Sequence, residues 1–370
     1  MQQSPGLKLR VWASPFPSSP PPLFRFPHLV PCSAFPFLAI LAITSVSAAA
    51  DETPTIRVGI IGLDTSHVVA FTSVFNDPKA EGDLAGVKVV AAYPGGSDDI
   101  PDSYNRVAGF TKDLQEKFGV EIVDSIEALL AKVDAVLLES VDGRPHVAQV
   151  KPVFAAGKRV FIDKPLAGTL ADAIEIARLS RESGVPFFSS SSLRFSPGIV
   201  GMRHNDQIGE VLGCDAYGPC TLEPHHPDLF WYGIHGVETL FTIMGPGCSS
   251  VSRAQTNDAE LVTGVWGDGR IGTFRGIRSG KSDYGAIVFG TKGIAPSGGY
   301  AGYAPLVVEI AQFFKTGKPP VSAEETIEIM AFMEAADESK RQGGAPIALE
   351  SVKAKAGGGR AGGGAGERRR

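Results

Sequence analysis

The sequence predicts an α/β protein. A doubly wound parallel sheet occupies residues 55–188, and a second domain built on an antiparallel sheet occupies 189–350. Three observations predict this. Between Thr55 and Ser190, short apolar runs alternate with segments of helical periodicity. Those runs are continuous, as expected of strands buried on both faces. Beyond Ser190, strand-like segments follow one another without intervening helices.

Each element has its own signal. "IRVGIIGL" is the first strand, and "HVVAFTSVFN" has apolar residues at helical spacing. "VKVVAAY" is a second strand. "SIEALLAKV" is a helix, with Asp124 and Glu127 placed for a capping box. "DAVLLES" is a strand, "HVAQVKPVFAAG" a helix and "RVFID" a strand. "LADAIEIARLSRESG" is a helix and "VPFFSSSS" the fifth strand. The second region reads "EVLGCDAYGP", "VTGVWGD", "RIGTFRGIR" and "YGAIVFGTKG" as strands. "APLVVEIAQFFKTG" puts Leu306, Val307, Ile310, Phe313 and Phe314 on one helical face. A last helix opens with a Ser322/Glu325 capping box and stops at a glycine pair.

The chain of 370 residues has room for two domains. Its formal charge is -5, and residues 1–50 hold three of the basic side chains and no acid. The acidic remainder argues against nucleic acid as a partner, because phosphate neutralisation needs a basic surface. Cys32, Cys214, Cys220 and Cys248 show no C-x-x-C spacing. Free, structural cysteines are expected, although Cys214 and Cys220 could pair in an exported protein. "AFPFLAILAITSVSAAADE" is an apolar run of signal-peptide length, too short for a stable membrane span, with Ala48 and Ala50 placed for cleavage after Ala50. Residues 1–50 thus read as a leader on a periplasmic or extracellular protein; the alternative is a cytoplasmic protein with a mis-called start. Residues 351–370 read as a Gly-rich flexible tail.

In a doubly wound sheet, ligands bind beyond the carboxyl ends of the strands. A dinucleotide fingerprint after the first strand would read G-x-G-x-x-G; here it reads Gly62-Leu-Asp-Thr-Ser-His67. Asp64 stands where the backbone should approach a pyrophosphate. A carboxylate about 5 Å from a phosphate charge costs roughly 3 kcal/mol at an effective dielectric near 20. The penalty vanishes if Asp64 turns inward to cap the helix, and Thr65 and Ser66 can offer hydroxyls to a phosphate. After the second strand no acid stands where a ribose would need it, though Ser97 or Asp98 is within a few residues. After the fourth strand come Asp163, Lys164 and Pro165; a lysine at the mouth of a sheet can serve in proton transfer. A metal set from His225, His226, Asp228, His235 and Glu238 is chemically possible, but no H-x-x-x-H or H-x-H spacing supports it, and no metal is expected.

The strand "RVGIIGL" and the blocks "GKRVFIDKPLAGT", "LRFSP" and "GIHGVE" together resemble the Gfo/Idh/MocA oxidoreductases, such as glucose–fructose oxidoreductase and inositol dehydrogenase, from Thr55 to Leu349. The resemblance implies an N-terminal Rossmann doubly wound parallel sheet plus a C-terminal α/β domain with an open, mostly antiparallel sheet. It implies NAD or NADP as cofactor, a sugar or polyol substrate and a dimer or tetramer. By position, "DKP" matches the family's E-K-P, so Lys164 would contact the reacting hydroxyl and the nicotinamide region. His235 matches the proton-transfer histidine of a D-x-G-x-H-x-x-D pattern whose two acids are Trp231 and Glu238 here. His146 matches a histidine after the third-strand loop, and Arg194 and Pro197 match a hinge block.

The implied cofactor contacts are Gly62, Asp64, Thr65, Ser66, Ser97, His146, Asp163 and Lys164. The implied substrate contacts are Arg194, Trp231, Tyr232, His235 and Glu238. The expected activity is an NAD(P)-dependent oxidoreductase with a degenerate fingerprint. The alternatives are a non-redox carbohydrate- or small-ligand-binding descendant, and a cofactor-assisted glycoside lyase or hydrolase.

Overall fold

The structure, a computed structural model, describes residues 55–358. The leader, Cys32 and the end of the Gly-rich tail lie outside the described residues. Six parallel strands form the first sheet: β1 (Ile56–Ile61), β2 (Val87–Tyr93), β3 (Glu121–Ile122), β4 (Ala135–Leu138), β5 (Arg159–Ile162) and β6 (Phe187–Ser189). Their order is β3-β2-β1-β4-β5-β6, which is the doubly wound order of Rossmann folds. The sequence passed over β3, which has two residues and no apolar run of its own.

Helices cover both faces. α1 (His67–Phe75), α2 (Pro101–Tyr104), α3 (Val107–Phe118), α4 (Ile126–Leu130), α5 (His146–Ala155) and α6 (Leu170–Ser183) fall between the strands. Val150, Phe154, Leu170 and Ile176 pack on one face, against Val136, Leu138 and Ile162. Phe71, Phe75 and Leu114 pack on the other, against Val58, Ile60 and Leu137. α4 is capped by Ser125, which accepts the Ala128 N–H; the cap lies one residue after Asp124, and with Ala128 at the third helical position the expected Asp124/Glu127 box does not form. Thr169 caps α6 in the same way, and Gly184 ends it in the left-handed conformation.

The second sheet runs β12-β11-β7-β10-β9-β8-β13. Its strands are β7 (Val211–Pro219), β8 (Cys248–Gln255), β9 (Ala259–Trp266), β10 (Ile271–Ile277), β11 (Gly285–Gly290), β12 (Ile294–Pro296) and β13 (Ile347–Ala348). Among the described strands of this sheet, only β7 and β10 pair in parallel. The remaining helices are α7 (Pro197–Val200), α8 (Ile234–Met244), α9 (Ala304–Thr316), α10 (Ala323–Arg341) and α11 (Leu349–Gly358). α8 and α10 bury Leu240, Phe241, Met330 and Phe332 against Val262, Trp266 and Phe274 of the sheet. α9 instead returns to the first sheet, where Leu306, Ile310 and Phe313 join the layer with Phe71 and Phe161. α11 occupies the start of the stretch expected to be a flexible tail: Leu349 and Val352 are buried in the core. Cys214, Cys220 and Cys248 are free and buried. Among the described residues, no helix is long and apolar enough to cross a membrane.

Candidate functional site

β1 ends at Gly62, whose φ of +88° and whose packing make it obligatory: a Cβ there would lie 2.4 Å from Ser140 Oγ. The chain then turns into α1. Asp64 is fully buried and faces away from the turn's outer side. Its Oδ1 accepts the Val141 N–H at 2.9 Å, and its Oδ2 accepts the Ser103 hydroxyl at 2.6 Å. Burial pushes its pKa up, against these two hydrogen bonds. The side chain does not cap α1, as the sequence suggested; Ser66 is the N-cap residue, without a side-chain cap bond. It turns inward to bind β4's exit and α2 instead.

The next residues open onto a cleft of about 170 Å³. Thr65, Ser66 and His67 line it from the start of α1, and Lys164 from the loop after β5. Trp231, Tyr232 and His235 line it from a π-helical turn, Leu229–Gly233, and the first turn of α8. Tyr284, Tyr300 and Tyr303 complete the wall. The Ser191 hydroxyl lies 2.7 Å from His235 Nδ1. Burial drives the His235 pKa well below 6.5, and the Lys164 and His67 cations add to this while Asp163 opposes it. The imidazole is therefore neutral at pH 7 and can exchange a proton.

Behind Lys164 lies a charged cluster built from three strand ends. His67 follows β1, Glu139 follows β4 and Asp163 follows β5. His67 Nδ1 is 2.9 Å from Asp163 Oδ2 and 3.7 Å from Glu139 Oε2, and Lys164 Nζ is 3.9 Å from Asp163 Oδ2. Burial opposes charge on His67, but the two carboxylates override it and raise its pKa; the same attraction holds Asp163 down, while burial pushes Glu139 up. The ring stacks on Phe71 at 5.3 Å and meets the edge of Tyr303 at 4.8 Å.

The structure brings Thr65, Ser66, Lys164, Trp231, Tyr232 and His235 together on the cleft, with Asp163 in the wall behind. It does not bring the other sequence candidates there. Gly62 and Asp64 lie beneath the turn. Ser97 donates its hydroxyl to Asp142 at 2.6 Å. His146 is fully buried, its ring nitrogens 3.1 Å from the Leu166 carbonyl and 2.9 Å from the Ser140 carbonyl; burial lowers its pKa, so the neutral ring donates to one of the two. Arg194 and Glu238 form a buried ion pair, with Glu325 as second acid at 2.7 Å from the guanidinium, and do not touch the cleft. Asp228 pairs with Arg253 and Lys340, while His225 and His226 pair with Glu223, so the histidine-rich loop forms no joint metal set.

Sequence reasoning missed His67 and Glu139. Both carried a signal: His67 fills the slot of the third fingerprint glycine, and Glu139 is a charge at the end of an otherwise apolar strand. The tyrosines gave none, since Tyr300 and Tyr303 come from a loop more than 130 residues from Lys164.

The residues at the start of α1 fit the phosphates of a dinucleotide. The inward turn of Asp64 removes the repulsion that a phosphate would meet, and exposed Ser66 leaves the N-terminus of α1 open beside Lys164 and His235.

Known proteins share this architecture. The family described as "Oxidoreductase family, NAD-binding Rossmann fold" matches residues 56–191. Inositol 2-dehydrogenase 1 of Saccharopolyspora erythraea is 30% identical over 161 residues, which is 42% of this chain and 43% of that relative. The chain thus spans less than half the length of this relative. Among solved structures, myo-inositol 2-dehydrogenase from Lactobacillus plantarum superposes with a TM-score of 0.65 at 17% identity, over 80% of this chain and 99% of that one. GenD2 from gentamicin A biosynthesis, in complex with NAD, gives 0.64 at 18% identity, over 80% and 97%. At these identities the likeness shows the fold.

Proposed function

We propose that this chain, whose residues 56–191 match the NAD-binding family, is a Gfo/Idh/MocA-type NAD(P)-dependent oxidoreductase acting on a hydroxyl of a sugar or polyol. The observation that carries the reading is the convergence of Lys164 and His235, from different halves of the molecule, on one cleft beside the open start of α1. The inositol dehydrogenase among the relatives supports the polyol class.

The bound dinucleotide would supply the hydride acceptor, with Thr65 and Ser66 at its phosphate side and Lys164 at its nicotinamide side. Lys164 donates a hydrogen bond to the reacting oxygen and favours its alkoxide character. Neutral His235 accepts the hydroxyl proton. With Nδ1–H donating to the Ser191 hydroxyl, Nε2 is the free base; on taking the hydroxyl proton the ring becomes an imidazolium that keeps the same Nδ1–H bond to Ser191 and returns the Nε2 proton in the reverse direction. The tyrosines and Trp231 offer ring faces and phenols to the sugar and exclude water.

The test is turnover in Lys164→Ala and His235→Ala, read as nicotinamide absorbance over a panel of polyols and aldoses. A loss of about 10²–10⁴-fold with intact folding is expected; full activity in both overturns the reading. Calorimetry with NAD⁺, NADH, NADP⁺ and NADPH adds a second arm. No binding up to millimolar cofactor would favour a non-redox sugar binder, which the small cleft also suits.

Two further parts of the reading concern the whole protein. Export with cleavage after Ala50 is tested by the mass of the mature N-terminus. Self-association through the outer face of the second sheet is supported by exposed Val265, Ile271 and Ile294. It is tested by light scattering, and a monomer at all concentrations would reject it.

A further inference from the structure

Glu139 and Asp163 are buried acids in an unusual state. No well-aligned hydrogen bond from a described donor reaches a carboxylate oxygen of either; the nearest cationic groups are His67 Nδ1, 2.9 Å from Asp163 and 3.7 Å from Glu139, and Lys164 Nζ, 3.9 Å from Asp163. Glu139 is fully buried and Asp163 is 1% exposed. Buried carboxylates are costly unless donors or a cation satisfy them. His67 stands between them, yet its Nδ1 is also without a hydrogen-bond partner. At 2.9 Å from Asp163 Oδ2 it is close enough, but the ring N–H does not align with the oxygen. A metal ion would displace the proton that the two carboxylates hold on His67, since a ligating imidazole must be neutral.

Converging, unaligned donors are the geometry of a coordination shell. Donors bound at roughly 2.1 Å and at right angles around one ion sit about 3 Å apart. His67 and Asp163 have this spacing, and one donor atom from each of His67, Glu139 and Asp163 lies within 4.8 Å of the others.

We propose that His67, Glu139 and Asp163 bind one divalent metal ion at the carboxyl ends of β1, β4 and β5. One imidazole with two carboxylates suits Mn²⁺ or Zn²⁺ better than a soft ion. Of the three ligands only His67 lines the cleft, and Glu139 and Asp163 are buried, so the ion would lie beneath the cleft wall next to Lys164. The site rests on the donor set and not on the hydride-transfer reading.

The experiment uses the full chain, stripped with chelator and titrated with MnCl₂ or ZnCl₂ by calorimetry. One equivalent per chain is expected at micromolar strength or better. Glu139→Gln and His67→Asn should each weaken it at least tenfold, whereas His225→Ala, in the separate histidine loop, should not. Folding is followed in parallel by thermal melts. Metal should raise the melting temperature of the native chain and leave Glu139→Gln unmoved. Electron paramagnetic resonance of bound Mn²⁺ should show nitrogen coupling that His67→Asn removes. Absence of uptake by the folded chain overturns the proposal. So does uptake that both ligand variants leave unchanged. Neither outcome bears on cofactor binding or turnover.

Discussion

Ser103, in the short helix α2, donates a 2.6 Å hydrogen bond to Asp64 in the turn after β1, across 39 residues of chain. The same hydroxyl oxygen accepts the Ser97 N–H at 2.8 Å. The acid in the fingerprint's second glycine slot is therefore a structural tie that holds the loop after β2 against the turn. Ser103→Ala should unpair a buried carboxylate oxygen and a backbone N–H, lowering stability by about 1–3 kcal/mol. Urea unfolding measures it, and an unchanged midpoint would mean that the loop is held by other contacts.

His235 should act as a neutral base over an unusually wide acid range. Burial and the cations of Lys164 and His67 push its pKa well below 6.5, against the pull of Asp163. The folded group charges only at lower pH, so the acid limb of kcat/KM should lie below 6.5. A limb at or above 6.5 would remove His235 from the proton-transfer role. Ser191 is a positioning residue for this imidazole. Ser191→Ala should lower kcat about tenfold with KM little changed; a rise in KM alone would make Ser191 a binding residue instead.

Arg194 should matter for folding and not for substrate affinity. Its guanidinium is buried between Glu238 and Glu325, and Ser190 donates the remaining hydrogen bond to Glu238 at 3.1 Å. Arg194→Met leaves both acids without their cation, and a buried pair broken in this way costs about 3–5 kcal/mol. Denaturant unfolding should show that loss, while KM of the folded fraction stays near the native value. A stable variant with raised KM would return Arg194 to the substrate site.

Asp337 gives stability a pH dependence of inverted sign. Burial raises its pKa to about 7; Arg253 opposes this, and Asp228, Glu334 and Glu260 add to it. An unfolded aspartate titrates near 3.9. Between about pH 4 and 7 the folded state thus binds more protons than the unfolded state. Stability is lost as pH rises through that window and remains lost above it. Asp337→Asn should gain on the native chain by about 1–4 kcal/mol from pH 4 to pH 8, the upper figure being the full shift. Melting curves at both pH values check it, and a difference independent of pH would show that Arg253 keeps Asp337 ionised in the folded state.

Much of this protein was determined by sequence acting locally. The apolar runs of β1, β4 and β5 need two buried faces, so each run by itself requires a covered sheet. Gly62 is forced by a turn that no side chain can enter. Lys164 is placed at the mouth of the sheet by the strand that precedes it, and His235 by the helix it opens. These positions follow from one strand or one helix and the turn beside it.

Other features arose only when distant segments met. The inward turn of Asp64 depends on Ser103 and Val141 being there to donate. α9 reads as an amphipathic helix in isolation, but only packing decides that it covers the first sheet and carries Tyr303 to His67. Arg194 and Glu238 look like cleft residues until each is found to neutralise the other inside the protein. The cluster of His67, Glu139 and Asp163 exists because β1, β4 and β5 are neighbours in the sheet although they are far apart in the chain. A side chain's charge is written in the sequence; the charges and donors it faces, and so its chemistry, are set by which strand ends the fold places together.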